Sequence, residues 1–112
     1  MIIRKVNEVS SEPVVESGAE KVRRQVLLSP SEGAPHFTLR RFEIAPGGQT
    51  MYHHHNYEHE IYVLAGVGKA RGRNSEVQIN QDDAILVLPN EEHQIVNTGI
   101  TPLIFLCLIP NQ

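Results

Sequence analysis

The sequence predicts an all-β fold, a small barrel or sandwich of short strands, and three observations predict it. Apolar or alternating runs of four to eight residues recur along the chain, each closed by Gly, Pro, Asn or Asp. The stretch with the most helix-friendly composition, SSEPVVESGAEKVRR (10–24), is interrupted by Pro13 and Gly18. No internal repeat or low-complexity tract offers a solenoid instead.

In chain order, residues 7–20 read as a connection with at most one turn of helix. KVRRQVLL follows as a strand and ends at the turn cluster SPSEGAP (29–35). HFTLRRFEIA (36–45) runs to Pro46-Gly47-Gly48, and QTMYHHH reads as the next strand. HEIYVLAG ends at Gly66, GKARGR is bounded by glycines, and EVQI is closed by Asn80-Gln81-Asp82-Asp83. AILVLP, HQIVN and PLIFLCLIP (102–110) complete the series. These boundaries describe one domain over 1–112, with an N-terminal strand and connection in 1–20 and a barrel core over about 21–110.

Composition narrows the function classes. At 112 residues the chain suits one core, so a second half of any shared site must come from another subunit. A formal charge of −3 gives no reason to expect nucleic acid or an acidic membrane as partner. The single cysteine, Cys107, excludes an intramolecular disulfide and suits a reducing cytoplasm. MIIRKVNEVS lacks the apolar run of a signal peptide, and no stretch approaches the roughly 18 apolar residues of a membrane helix.

Four of the six histidines form a pattern that metal chemistry explains. His53 and His55 stand two apart on an expected strand, which puts them on one face with Cα atoms about 6.5 Å apart. Imidazoles at that spacing can converge on one ion at roughly 2.0–2.1 Å from each nitrogen. His54, between them, points to the opposite face. His59 opens the following strand, where Ile61, Val63 and Ala65 share its face as an apolar wall. His93 begins a later strand after PNEE, which could deliver a further ligand. By spacing alone the pattern stays open, because H-x-H also occurs on strands that bind nothing.

The chain resembles the cupins. Gly47, His53, His55, His59 and Gly66 fit the first cupin motif, G(x)5HxH(x)3,4E(x)6G, with His59 standing where the motif has Glu. His93 and Asn97 fit the second, G(x)5PxG(x)2H(x)3N. Asp82, Leu88 and Asn90 replace its two glycines and its proline, and Pro89 is displaced by one position. Asn tolerates the left-handed backbone a glycine would supply, so Asn90 is a mild departure. With His at the Glu position, the sequence is similar to the small single-domain cupins whose metal is held by four histidines. The resemblance implies a double-stranded β-helix (jelly-roll barrel) and the ligand set His53, His55, His59 and His93. It also implies manganese, although imidazole nitrogens accept iron, nickel, zinc or copper as well.

Four neutral imidazoles add no charge, so an ion held by them keeps its full +2 charge and stays a strong Lewis acid, harder to oxidise than a carboxylate-ligated one. If the ion is six-coordinate, two positions remain for water, dioxygen or a bidentate substrate. The leading expectation is an oxidoreductase of dioxygenase type acting on a small organic molecule. A non-redox isomerase or lyase, and a binding protein without turnover, fit the same fold. All four ligands must be deprotonated, so metal should be lost as pH falls through about 6.

Around the expected ligands, Met51, Tyr57, Ile61, Arg40 and Cys107 are pocket candidates. Arg40 and Arg41 adjoin on one strand, so one turns inward or into an interface. It meets either a substrate carboxylate or, more simply, Glu43, Glu58 or Glu60 in a salt bridge. Glu58 and Glu60 flank His59 and are expected to face solvent. Exposed edge strands, with the MIIRKV segment available to pair with a neighbour, suggest a homodimer.

Overall fold

A computed structural model describes all residues, 1–112. Nine strands form one curled antiparallel sheet: β1 Glu12–Pro13, β2 Glu20–Leu28, β3 Phe37–Gln49, β4 His59–Ala65, β5 Gly68–Arg71, β6 Glu76–Ile79, β7 Ala84–Val87, β8 Gln94–Asn97 and β9 Leu103–Pro110. Two short 3-10 turns, Val6–Glu8 and Pro30–Glu32, are the other regular elements. The all-β jelly-roll expectation holds, and none of its helices is long and apolar enough to cross a membrane.

β3 organises the barrel. Its first eight residues pair with β9, from Phe37 opposite Pro110 to Ile44 opposite Leu103, while β2 pairs along its other side. At Pro46-Gly47-Gly48 the strand turns the corner, and Gln49 then pairs with Val96 of β8. Gly47 has φ +82°, a left-handed conformation that a side chain disfavours. A Cβ on Gly48 would lie 2.9 Å from Ile44 Cγ2, so the corner is open only to glycine. One long strand therefore feeds two layers: β1-β2-β3-β9-β4-β7 on one side and β8-β5-β6 on the other.

Alternation sets the core. Leu103, Phe105, Cys107 and Ile109 of β9 point inward together, as do His59, Ile61 and Val63 of β4. Ile44, Leu103 and Val63 are fully enclosed. The positions where the second motif lacks glycine still adopt its backbone, with φ +70° at Asp82 and +65° at Asn90.

Two expectations are corrected. MIIRKV is not a strand, because side chains rather than a ladder hold this end. Arg4 Nη1 donates to Leu27 O at 2.9 Å, Gln25 Nε2 donates to Val6 O at 2.8 Å, and β1 takes the free edge of β2 at Arg23 and Arg24. QTMYHHH is not a continuous strand either. Gln49 pairs with Val96 and His53 with His93, so four steps on one side (49 to 53) face three on the other (96 to 93). One residue is extra, and the ladder breaks there. Gln94 Nε2 donates to Thr50 O at 2.9 Å and Ile95 N donates to Thr50 Oγ1 at 2.9 Å, so side chains satisfy the interrupted backbone.

Candidate metal centre

The broken ladder aims the histidines. His53 and His93 form an isolated bridge in which each backbone N–H donates to the other's carbonyl, at 3.2 and 2.9 Å. His55 lies beyond the bridge, its carbonyl accepting from Asn90 N. Convergence of His53 and His55 thus comes from a bulged, tethered segment and not from a regular i, i+2 strand. Their Nε2 atoms are 3.1 Å apart. The ligand atoms of His53, His55 and His93 all lie within 4.8 Å of one another. His54 is exposed, as its opposite facing requires.

His59 reaches the same place from β4. Its ring stacks on His55 with centroids 4.8 Å apart and lies 5.1 Å from His93. It is not among the three mutually close ligands. Its Nδ1 is 3.3 Å from Cys107 Sγ, and its Nε2 is buried with no partner. His53 Nδ1 is likewise buried and unpartnered, while His93 Nδ1 sits 2.9 Å from Glu91 O and so donates to it in the neutral tautomer that frees Nε2.

Burial pushes the His53 imidazole down to about 4, with the neighbouring His55, His93 and Arg40 adding to the effect. Burial also lowers His59, to about 3, with Arg40 next in weight, and it lowers His55, with His93 and then Arg40 adding to the effect. These rings are neutral near pH 7, the state in which imidazole ligates a metal. Buried nitrogens without partners are costly, and a borderline transition-metal ion is the group that satisfies several imidazoles at once. The donor set fits a metal.

The rings open on a cavity of about 240 Å³. Met51, Tyr57, Ile61, Arg40 and Cys107 all line it. Tyr57 stacks on both His55 and His59, with centroids 5.0 and 5.4 Å apart. Cys107 is buried, its thiol pushed up by burial, and its Sγ accepts from Arg40 Nη2 at 3.1 Å. The salt bridge from Arg40 or Arg41 to Glu43, Glu58 or Glu60 does not form. Arg41 instead donates to Gln25 Oε1 at 3.0 Å, while Glu58 and Glu60 are exposed.

Sequence reasoning missed Glu16, Arg24, Phe42 and Thr50, which also line the cavity. Arg24 and Phe42 are register partners on β2 and β3, a pairing no local pattern announces. Glu16 lies in a segment read as a plain connection, and nothing in its surroundings marks it.

The profile of the cupin domain matches residues 40–109. The chain is a cupin. It is 33% identical over 115 residues to an oxalate-binding protein of Thermotoga maritima, covering 97% of this chain and 93% of that protein. It is 32% identical over 80 residues to the tetracenomycin polyketide synthase protein TcmJ of Streptomyces glaucescens. That match takes in 70% of this cupin but spans only 54% of TcmJ. Among solved structures, the polyketide cyclase RemF of Streptomyces resistomycificus superimposes with TM-score 0.93 at 31% identity. All of this cupin and 80% of the RemF chain are covered.

Proposed function

We propose that this cupin is a metal-dependent enzyme whose His53, His55, His59 and His93 hold one divalent ion beside a pocket for a small, enolisable carbonyl compound. The observation that carries the reading is the cluster itself: three imidazoles within mutual ligand distance, with the partnerless Nε2 of His59 beside them. His59 joins if its Nδ1–H donates to Cys107 Sγ, leaving the Nε2 lone pair for the ion. A divalent ion there supplies Lewis acidity to a carbonyl or enolate oxygen. Tyr57, Phe42 and Phe105 present flat apolar surface to the substrate, with Phe42 and Phe105 stacked at 5.3 Å. Manganese is the ion the four-histidine resemblance implies, and zinc, nickel, iron and copper suit the same donors.

Among reaction types, Lewis-acid chemistry on an enolate suits a neutral ligand set better than redox cycling, which a coordinated carboxylate would ease. Likeness to a polyketide cyclase along the whole chain supports the same side. An oxidoreductase of dioxygenase type is the second reading, favoured by a donor set that also accepts redox metals. The deciding experiment follows α-proton exchange of a β-diketone in D2O by NMR, with zinc- and manganese-loaded protein, alongside oxygen uptake. Exchange catalysed equally by both metals supports the enolate reading. Turnover that needs manganese or iron together with oxygen supports the oxidoreductase, and ligand binding with neither leaves a binding protein.

We also infer a homodimer in a reducing cytoplasm. β6 and β7 end the sheet with Val77 and Leu86 exposed, 60% and 57%, and a second copy would cover such edges. A strictly monomeric elution by light scattering counts against the dimer.

A further inference from the structure

The cavity's charge is unbalanced. Arg24 and Arg40 line it with one carboxylate, that of the exposed Glu16. Arg40 is half-buried, yet none of the three ion pairs of the fold includes it. Its Nη2 spends itself on a thiol sulfur, a weak acceptor, at 3.1 Å, and its Nε is buried with no partner at all. Phe42 lies 5.0 Å from the guanidinium carbon, so a ring face, not a carboxylate, fixes the group. A guanidinium drawn out of water normally ends on a carboxylate or phosphate, because desolvation otherwise opposes the burial. The neighbouring Arg41 at least finds an oxygen acceptor, Gln25 Oε1 at 3.0 Å.

We propose that Arg40 is the anion-recognition residue of this cavity and that the physiological ligand is a small carboxylate-bearing carbonyl compound, a 2- or 3-oxo acid or a dicarboxylate. Its carboxylate would meet the Arg40 guanidinium, whose fork of N–H donors matches two carboxylate oxygens. Its second oxygen would face the imidazole cluster. Only that second contact rests on the metal-enzyme reading. A cavity of about 240 Å³ suits a molecule of this size, below the roughly 300 Å³ at which drug-sized pockets begin.

The test is calorimetric titration of the wild-type chain and of Arg40→Met with malonate and with its uncharged counterpart malonamide. Both proteins are used manganese-loaded and metal-free, with metal content measured in parallel. Arg40→Met should weaken malonate binding by roughly 10- to 100-fold, the loss expected for a hydrogen-bonded charge pair. Malonamide binding and metal content should not change. Arg40→Lys should keep the preference for malonate over malonamide with reduced affinity. Should Arg40→Met fail to fold, Arg40→Gln carries the same test, since it keeps a donor but loses the charge. Equal weakening of both ligands, no weakening in a folded variant, or no malonate binding to the wild type in either form would overturn the assignment. Arg40-dependent malonate binding by protein that takes up no metal would uphold Arg40 and remove the metal reading instead.

Discussion

The two ends of β3 treat their hydrogen bonds in opposite ways. From Phe37 to Ile44 the strand pairs in unbroken register with β9, and its partner's side chains alternate strictly between buried and half-buried. Past Gly48 the register slips by one residue, side chains replace ladder bonds, and His53 in the bridge and His59 beside it each hold a nitrogen with no protein partner. The same chain thus builds one region whose backbone ladder is complete and another in which side chains stand in for ladder bonds and imidazole nitrogens lack a partner. Unsatisfied buried groups cost stability and persist where a site uses them. The regular half packs the fully enclosed Ile44 and Leu103, and the broken half carries the histidine cluster, with Arg40 and Cys107 reaching the same cavity from the regular half.

That contrast is broken most directly in the core. Leu103→Ala removes a fully enclosed side chain and should cost about 2–5 kcal/mol. Denaturant unfolding of metal-free protein would measure it, and a cost below about 1 kcal/mol would show that the regular half does not dominate stability. His93→Ala comes next. It should weaken metal binding by on the order of 100-fold or more, beyond what losing an outer hydrogen-bond partner costs. Its unfolding free energy without metal should stay close to wild type. Competition with a chelator reads the first quantity, and undiminished affinity would remove His93 from the ligand set.

Cys107→Val sharpens the comparison, because Cys107 belongs to the core by burial and to the site by contact. Valine keeps the apolar volume and loses the sulfur beside His59 Nδ1. Metal affinity should fall by about 10-fold, the lower end for an orienting partner of a ligand, with little change in stability. A loss of stability without loss of metal would assign Cys107 to packing alone.

Acid titration separates the halves by pH. His53 and His59 have folded values near 4 and 3, below the usual imidazole value of 6.5. Between those values and 6.5 the unfolded chain binds more protons than the folded one, so stability must fall as pH drops through that window. The melting temperature of metal-free protein should therefore decline from pH 6.5 towards pH 4, and less steeply in His53→Gln. Identical slopes in the two proteins would contradict the depressed value. The same depression moves proton competition for His53 and His59 below the pH of about 6 that ordinary imidazoles suggest.

Much of this was readable from residues alone. The strand runs from KVRRQVLL to PLIFLCLIP were legible because alternation and turn residues are local signals, and β4, β6, β8 and β9 follow them closely. Asn90 was legible as a glycine substitute, since its left-handed backbone depends on one residue's own chemistry. The one-residue slip between Gln49 and His53 was not, because it depends on how two segments 40 or more residues apart align. The same holds for Arg40, for which the sequence suggests a salt bridge to Glu43, Glu58 or Glu60. The three-dimensional register gives it Cys107 and Phe42 instead. Local chemistry was visible in the sequence and cross-strand alignment was not.

The smallest effect is expected at His54, and it tests whether the bulge aims side chains as described. His54 sits between two cavity-lining histidines, yet it is exposed and forms no part of the cluster. If the tethered bridge at His53 and His93 fixes which side chains face inward, His54→Ala should change stability by no more than about 0.5 kcal/mol. It should also leave metal affinity unaltered, in contrast to His53→Ala and His55→Ala. A segment free to rotate would let the three neighbours exchange roles, and His54→Ala would then weaken metal binding as its neighbours do. Equal losses from all three variants would mean that the composition of the HHH run, and not the bulged backbone beneath it, makes the site.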